Sequence, residues 1–107
     1  MDSRVAEVIN LMRVSLATSL SISTLAKRVN LSSTRLRQLF KAEVGRSPTH
    51  YLRDLRMQNA EHLLTETFLS VKEIAFVTGY KHVSSFAHAF KRRHGLTPGE
   101  YRAQTKP

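Results

Sequence analysis

The sequence predicts an all-α fold of about seven helices, and three observations support this class. Apolar residues recur three and four positions apart in the candidate helices, the spacing of a helix that buries one face. No segment alternates apolar and polar residues over the length of a strand. Serine, proline and glycine stand where helices are expected to begin and end. A chain of 107 residues suits one compact unit or two very small ones.

A repeat with a period of 50 residues fills most of the chain. The matching residues are Phe40, Lys41, Gly45, Pro48 and Tyr51 in the first copy and Phe90, Lys91, Gly95, Pro98 and Tyr101 in the second. Upstream, Leu25 and Ala26 recur as Ile74 and Ala75 at a separation of 49. The second copy therefore has one extra residue in the turn between its two short helices.

Helix start and stop signals place the elements of each copy. The predicted helices run from about Ser3 to Ala17, from Ser23 to the turn at Asn30, from Ser33 to Val44, from Pro48 to about Thr65, from Ser70 through Thr78, from Val83 to His94, and onward from Pro98. Ser70 and Glu73 have the spacing of a capping box. Asn30 and Gly79 occupy turn positions where left-handed backbone is expected. A short helix, a tight turn and a second helix make a helix-turn-helix unit, and two are predicted.

The helix from Pro48 joins the two units. Residues 1–46 are predicted to form the N-terminal helix and first unit, 47–66 a linker helix, and 67–107 the second unit with a C-terminal helix. The predicted core residues are Val5, Val8, Ile9, Met12 and Leu16 of an N-terminal lid, Leu36, Leu39 and Phe40 of the first unit, and Phe86, Ala89 and Phe90 of the second. Helical phase also favours core or turn packing for the tyrosines over stacking on single-stranded bases.

The charge balance indicates a polyanionic partner, because 17 Lys and Arg against 8 Asp and Glu give a net charge of +9. The absence of cysteine excludes disulfides and thiolate metal sites. The histidines are out of helical phase and the carboxylates are scattered, so no metal site, cofactor or enzyme active site is predicted. No apolar run approaches a membrane span of about 18 to 20 residues, and no signal peptide is recognised, so a cytoplasmic, nucleoid-associated protein is expected.

The second helix of a helix-turn-helix unit is the one that enters the major groove of DNA. In the first unit the face opposite the apolar stripe carries Thr34, Arg37 and Gln38, which we predict to read bases, followed by Lys41. Arginine bridges guanine O6 and N7, and glutamine bridges adenine N6 and N7. A solvated helix face is the alternative for the same residues.

The second unit offers a poorer reading surface. Its predicted base-reading residues are Val83, Ser84, Ser85 and His88, so the first unit is expected to supply most discrimination and the second to supply affinity and register. The predicted phosphate-contacting residues are Arg35, Lys41, Arg46, Lys91 and Arg92, with a further phosphate at the N-terminus of the Pro98 helix. Arg102 and Lys106 are predicted to lie in a solvated tail.

Two recognition helices about 34 Å apart can enter successive major grooves of one duplex. The linker helix of roughly 18 residues would be about 27 Å long, and the width of the units adds to that. Because the two units differ in sequence, a monomer is expected to read an asymmetric site of roughly 20 base pairs.

A string of residues in the second copy has the pattern of a known family: Ile74, Ala75, Gly79, Tyr80, Phe86, Phe90, Lys91, Gly95, Thr97, Pro98, Tyr101 and Arg102. This string, together with Leu25 through Leu64, resembles the AraC/XylS family of bacterial transcription regulators. The resemblance implies two helix-turn-helix units joined by a long helix, binding to promoter DNA, and transcription activation by contact with RNA polymerase. It also implies base reading at the seven positions named above. The small Thr34 departs from relatives that carry a large aromatic there.

Three functional classes remain open at this point. A sequence-specific promoter-binding regulator is the leading interpretation, and a non-specific architectural or RNA-associated basic module is the alternative. A helical protein-interaction module is the third, and it predicts no footprint on DNA. The chain is either a small stand-alone member of the family or a C-terminal domain of a longer regulator.

Overall fold

The computed structural model describes residues 1–16 and 20–105, and this part of the chain is helical without a strand. Its helices are α1 (Ser3–Val14), α2 (Ile22–Arg28), α3 (Ser33–Val44), α4 (Pro48–Glu66), α5 (Val71–Val77), α6 (Val83–His94) and α7 (Pro98–Thr105). The prediction of an all-α fold with about seven helices is confirmed. The predicted end of the first helix at Ala17 is too late, because α1 ends at Val14 and Ser15 is its C-cap. Ala17 and Lys106 themselves lie outside the described residues.

Capping side chains fix where the helices begin. The predicted capping box is present, since the Glu73 N–H donates to Ser70 Oγ at 3.0 Å and the Ser70 N–H donates to Glu73 Oε1 at 3.0 Å. The predicted start of α2 at Ser23 is wrong. Ser21 is the N-cap, because its Oγ accepts the Thr24 N–H at 3.1 Å, and Ser23 lies inside the helix.

The described chain divides into two compact units, Met1–Leu55 and Arg56–Pro107, which we call unit 1 and unit 2. Each unit has its own apolar core, and the predicted stripes of α1, α3 and α6 take part in these cores. The core of unit 1 buries Val5, Val8, Met12, Leu25, Ala26, Val29, Leu36, Phe40, Leu52 and Leu55. The core of unit 2 buries Met57, Ala60, Leu64, Ile74, Ala75, Phe86 and Phe90.

The sequence repeat is also a structural repeat. The Phe40 and Tyr51 rings meet edge to face at 5.5 Å and 72°, and the Phe90 and Tyr101 rings do so at 5.2 Å and 76°. Both phenylalanines are fully buried, so these aromatic pairs are packing contacts of the cores, as helical phase predicted.

Helix α4 contributes to both cores. Its first half supplies Leu52 and Leu55 to unit 1, and its second half supplies three buried residues to unit 2. Those three, Met57, Ala60 and Leu64, repeat the three-and-four spacing of Val5, Val8 and Met12 on α1. The second half of α4 is therefore the counterpart of α1. Its first half, which begins at Pro48, is the counterpart of α7, which begins at Pro98.

Candidate nucleic-acid interface

The two turns that precede α3 and α6 share one backbone design. In unit 1, Asn30 has φ 59° and the Leu31 N–H donates to the carbonyl of Ala26 at 2.9 Å. In unit 2, Gly79 has φ 95° and the Tyr80 N–H donates to the carbonyl of Ala75, also at 2.9 Å. The turn in unit 2, residues 78–82, is one residue longer than the turn at 29–32, as the repeat spacing predicted. In both units the second helix packs against the first.

The outer face of α3 carries the predicted reading residues of unit 1. Thr34, Arg37 and Gln38 are all exposed, while Leu36 and Phe40 on the opposite side are fully buried. Because the buried side of α3 packs into the core, the opposite side faces outward. The three predicted base-reading residues and Lys41 therefore share one accessible surface.

The outer face of α6 is shorter in reach. Val83 is 40 % exposed, and Ser84, Ser85 and His88 are exposed along the same helix. Phe86 and Phe90 are fully buried on the opposite side. This face therefore has fewer long polar side chains than the outer face of α3, which carries Arg37 and Gln38.

The predicted phosphate-contacting cations are exposed in both units: Arg35, Lys41, Arg46, Lys91 and Arg92. Arg46 differs from the rest because its Nε lies 3.3 Å from Asp54 Oδ2 on α4. Within residues 1–16 and 20–105, no carboxylate oxygen lies within 4.0 Å of Arg35, Lys41, Lys91 or Arg92. Arg35, Lys41 and Arg92 keep their charge available to an external anion, whereas the charge of Lys91 also contributes to the lowered pKa of Glu100.

The folded chain matches proteins of known type over most of its length. Residues 25–104 match the family described as a helix-turn-helix domain. The chain belongs to the AraC/XylS family. It is 34 % identical over 92 residues to the transcriptional activator RhaR of Enterobacter sp. (strain 638), covering 86 % of this chain and 33 % of that protein.

Two solved structures of this family are similar over nearly the whole chain. The C-terminal domain of AraT, a response regulator from Geobacillus stearothermophilus, has a TM-score of 0.93 and 30 % identity, covering 97 % of this chain and 87 % of that one. The DNA-binding domain of AdpA, in complex with a target DNA, has a TM-score of 0.89 and 29 % identity, covering 94 % and 91 %. The AraC/XylS chain described here spans 13 % to 33 % of the length of eight curated regulators that it matches.

Arg102 has a structural role in this AraC/XylS domain, and the prediction of a solvated side chain is wrong. Its Nε donates to the carbonyl of Leu64 at 3.1 Å, and its Nη2 donates to the carbonyl of Thr67 at 3.4 Å. These carbonyls lie at the C-terminal end of α4, where backbone acceptors lack partners within the helix and where a positive charge is favourable. Arg102 thereby ties α7 to the end of α4.

The N-terminus of α7, where a phosphate was predicted, already holds a carboxylate. The Thr97 N–H donates to Glu100 Oε1 at 2.9 Å, and the Glu100 N–H donates to Thr97 Oγ1 at 3.1 Å. The backbone hydrogen bond from Thr97 lowers the pKa of Glu100, which keeps the carboxylate charged. A phosphate there would meet a negative charge of the protein itself.

Three exposed cations beside the turns were missed by the sequence interpretation. Lys27 and Arg28 end α2, and Lys81 lies in the turn before α6. The signal for Lys81 was present in the sequence, because the change of repeat separation from 49 to 50 marks an added residue in that turn. Lys27 and Arg28 had no such signal, because two charged residues at the end of a short helix are common on any solvated surface.

Two features are absent from the described residues of this family member. No group of three or more His, Cys, Asp or Glu residues is arranged to hold a metal ion in residues 1–16 and 20–105. The same residues contain no helix that is long and apolar enough to cross a membrane. The family and its structural neighbours are transcription regulators and DNA-binding domains.

Proposed function

We propose that this chain is the sequence-specific DNA-binding module of a transcription regulator, and that α3 and α6 each enter a major groove of double-stranded promoter DNA. The observation that carries the proposal is an exposed polar face that occurs twice, opposite the buried rings of Phe40 and Phe90. The likeness to the AdpA domain, which was solved with a target DNA, supports it.

The proposed base readers follow from the chemistry of the two exposed faces. On α3, Arg37 suits guanine and Gln38 suits adenine, because each can form two parallel hydrogen bonds to one base edge. Thr34 can donate or accept a single bond. On α6, the residues Val83, Ser84, Ser85 and His88 have shorter reach or weaker preference. We assign most sequence discrimination to unit 1.

The proposed phosphate contacts are repeated once in each unit. Lys41 and Lys91 occupy matching positions near the ends of α3 and α6, where a lysine reaches the backbone of the duplex more readily than a base. Arg35 and Arg92 add one exposed cation each. Arg46 already pairs with Asp54 through Nε, which offsets part of its charge, so its net gain from a phosphate is smaller.

The activity of a whole regulator is part of the same proposal. The relative RhaR is a transcriptional activator, and we infer that a protein carrying this module activates transcription through contact with RNA polymerase in the cytoplasm, at the nucleoid. Because units 1 and 2 differ in sequence, one copy of the chain suffices for an asymmetric site of roughly 20 base pairs.

Selection from a random duplex library followed by footprinting tests the proposal. The expected result is one asymmetric motif bound at least about 10³-fold more tightly than bulk DNA. Equal affinity for all duplexes would instead identify a non-specific architectural or RNA-associated module. No footprint at any concentration would identify a protein-interaction module. Salt dependence alone does not separate the first two classes, because both lose affinity as salt rises.

A further inference from the structure

Lys81 is the residue by which the turn of unit 2 exceeds the turn of unit 1. The turns correspond up to Tyr80, which lies 49 residues after Leu31 and makes the same backbone hydrogen bond. The N-cap residues Ser32 and His82 lie 50 residues apart. The added residue therefore stands between Tyr80 and His82, and unit 1 has no counterpart for it.

The added lysine stands close to the one helix end where unit 1 carries two cations and unit 2 carries none. The exposed Lys27 and Arg28 end α2, whereas the matching positions at the end of α5 hold Phe76 and Val77. Unit 2 thus has no cation on the last turn of its first helix, and Lys81 supplies one a few residues later. Over the described ranges 1–16 and 20–105, no carboxylate oxygen lies within 4.0 Å of its ammonium group.

Lys81 stands where a cation is unfavourable for the folded helix. The N-terminal end of a helix carries partial positive charge, so a lysine just before α6 opposes the helix dipole. His82 offers no side-chain cap to α6. In the other six helices of the described chain a side chain accepts a backbone N–H at the start, and these acceptors are Asp2, Ser21, Ser32, Ser47, Ser70 and Thr97. Local departures of this kind are typical of positions kept for binding.

We propose that the ammonium group of Lys81 contacts a DNA phosphate at the edge of the groove that α6 enters. This inference rests on the proposed function of α6. Lys81 precedes Val83 by two residues, so their Cα atoms are at most about 7.6 Å apart. The first residues of a recognition helix meet the base edges, and the first helix of the motif crosses the DNA backbone. The turn that joins these two helices, and that carries Lys81, is therefore expected beside that backbone. The contact is assigned to the lysine side chain and supplies affinity without reading sequence.

Salt titration of the full chain tests the contact. Fluorescence anisotropy with the selected duplex and a scrambled duplex, between about 50 and 200 mM KCl, gives the slope of log K against log salt. Lys81→Ala should reduce that slope by about 0.9, so the fourfold change in salt should weaken binding about 3.5-fold less than in the original chain. Both duplexes should lose affinity by the same factor, and Lys81→Arg should keep the original slope.

A charge-matched double variant separates a local contact from net charge. Lys81→Ala with Glu66→Gln restores the net charge of +9, since the exposed carboxylate at the end of α4 is neutralised. Its slope should stay as low as that of Lys81→Ala alone. A slope restored by Glu66→Gln would overturn the proposal, and so would an unchanged slope in Lys81→Ala.

Thermal unfolding tests whether Lys81 has a structural role. Removal of a cation from the N-terminal end of α6 should leave the melting temperature of Lys81→Ala equal or higher while its DNA affinity falls. A lowered melting temperature that accounts for the lost affinity would overturn the proposal. If the Lys81 inference fails while the proposed function holds, the original chain will still strongly prefer the selected duplex over the scrambled one. If that preference is absent from the original chain, the proposed function fails and this inference fails with it.

Discussion

The substitutions Phe40→Ala and Phe90→Ala test whether each unit is stabilised by a core of its own. Both rings are 0 % exposed, and each packs against a tyrosine of the same unit. Truncation of a buried phenylalanine to alanine costs about 3 to 5 kcal/mol. Unit 1, residues Met1–Leu55, should have a total stability of about 3 to 8 kcal/mol at ordinary values per residue. Either substitution therefore removes a large part of the stability of its unit.

Hydrogen exchange followed by mass spectrometry resolves the effect along the chain. A loss of about 3 to 5 kcal/mol should accelerate exchange of the most protected amides about 100- to 4,000-fold. In Phe40→Ala the acceleration should fall on α1 to α3, and in Phe90→Ala on α5 and α6. Exchange in the first half of α4 should accelerate in Phe40→Ala, and exchange in its second half should accelerate in Phe90→Ala, since each half buries residues in a different core.

Phe68→Ala is the matched control, because it removes the same ring from a position that is 94 % exposed. Its stability should change by no more than about 0.5 kcal/mol. Equal acceleration of α3 and α6 by either core variant would refute the assignment of separate cores. A loss as small as that of the control would show that Phe40 or Phe90 is not a core residue.

Three further predictions concern recognition, backbone strain and pH. Arg37→Ala should cost about 1 to 3 kcal/mol in DNA affinity and relax the preference at one base, whereas Lys41→Ala should weaken binding to all duplexes alike. Affinities for a set of duplexes that differ at single bases measure both effects. The reverse pattern would mean that α3 docks on DNA in another orientation. Urea unfolding should show that Gly45→Ala destabilises by about 1 to 2 kcal/mol, since φ is 86° there and a Cβ has open space. Gly99 also has open space around a Cβ but lies outside the left-handed region, so Gly99→Ala should stabilise by about 0.5 to 1 kcal/mol. A change of the same sign in the free energy of unfolding of both variants would contradict the backbone argument. The hydrogen bond from Arg4 lowers the pKa of Asp2 to about 2 from 3.8. The stabilisation from Asp2 is therefore fully present above about pH 4 and is lost as pH falls through about 2, so the gap in unfolding midpoint between the original chain and Asp2→Asn should shrink between pH 4 and pH 2 and close below pH 2. A gap that does not shrink over this range would exclude this source of stability.

Local signals in the sequence were sufficient for the recognition helices. Both bounds of α3 and α6 were predicted, because each helix has an apolar stripe and ends at a glycine that adopts positive φ, Gly45 or Gly95. The start of α2 was misplaced by two residues. Ser21 and Ser23 are equally good caps by residue type, and only the hydrogen bond to the N–H of Thr24 distinguishes them.

Long-range pairings could not be predicted from one sequence. Arg102 donates to the carbonyls of Leu64 and Thr67, which are 38 and 35 residues away, and no periodicity relates these positions. The pair of Arg46 and Asp54 depends on how the chain turns into α4. The assignment of bases and phosphates to particular side chains stays a prediction, because it depends on how the duplex docks.

The shared use of α4 by two cores determines how the protein can be dissected. A fragment ending at residue 47 would lack Leu52 and Leu55, which complete the core of unit 1. A fragment ending at residue 66 would keep them, but would expose three apolar side chains, starting at Met57, that belong to the other core. The boundary for truncation therefore lies inside an unbroken helix, between Leu55 and Arg56, and not at either of its ends.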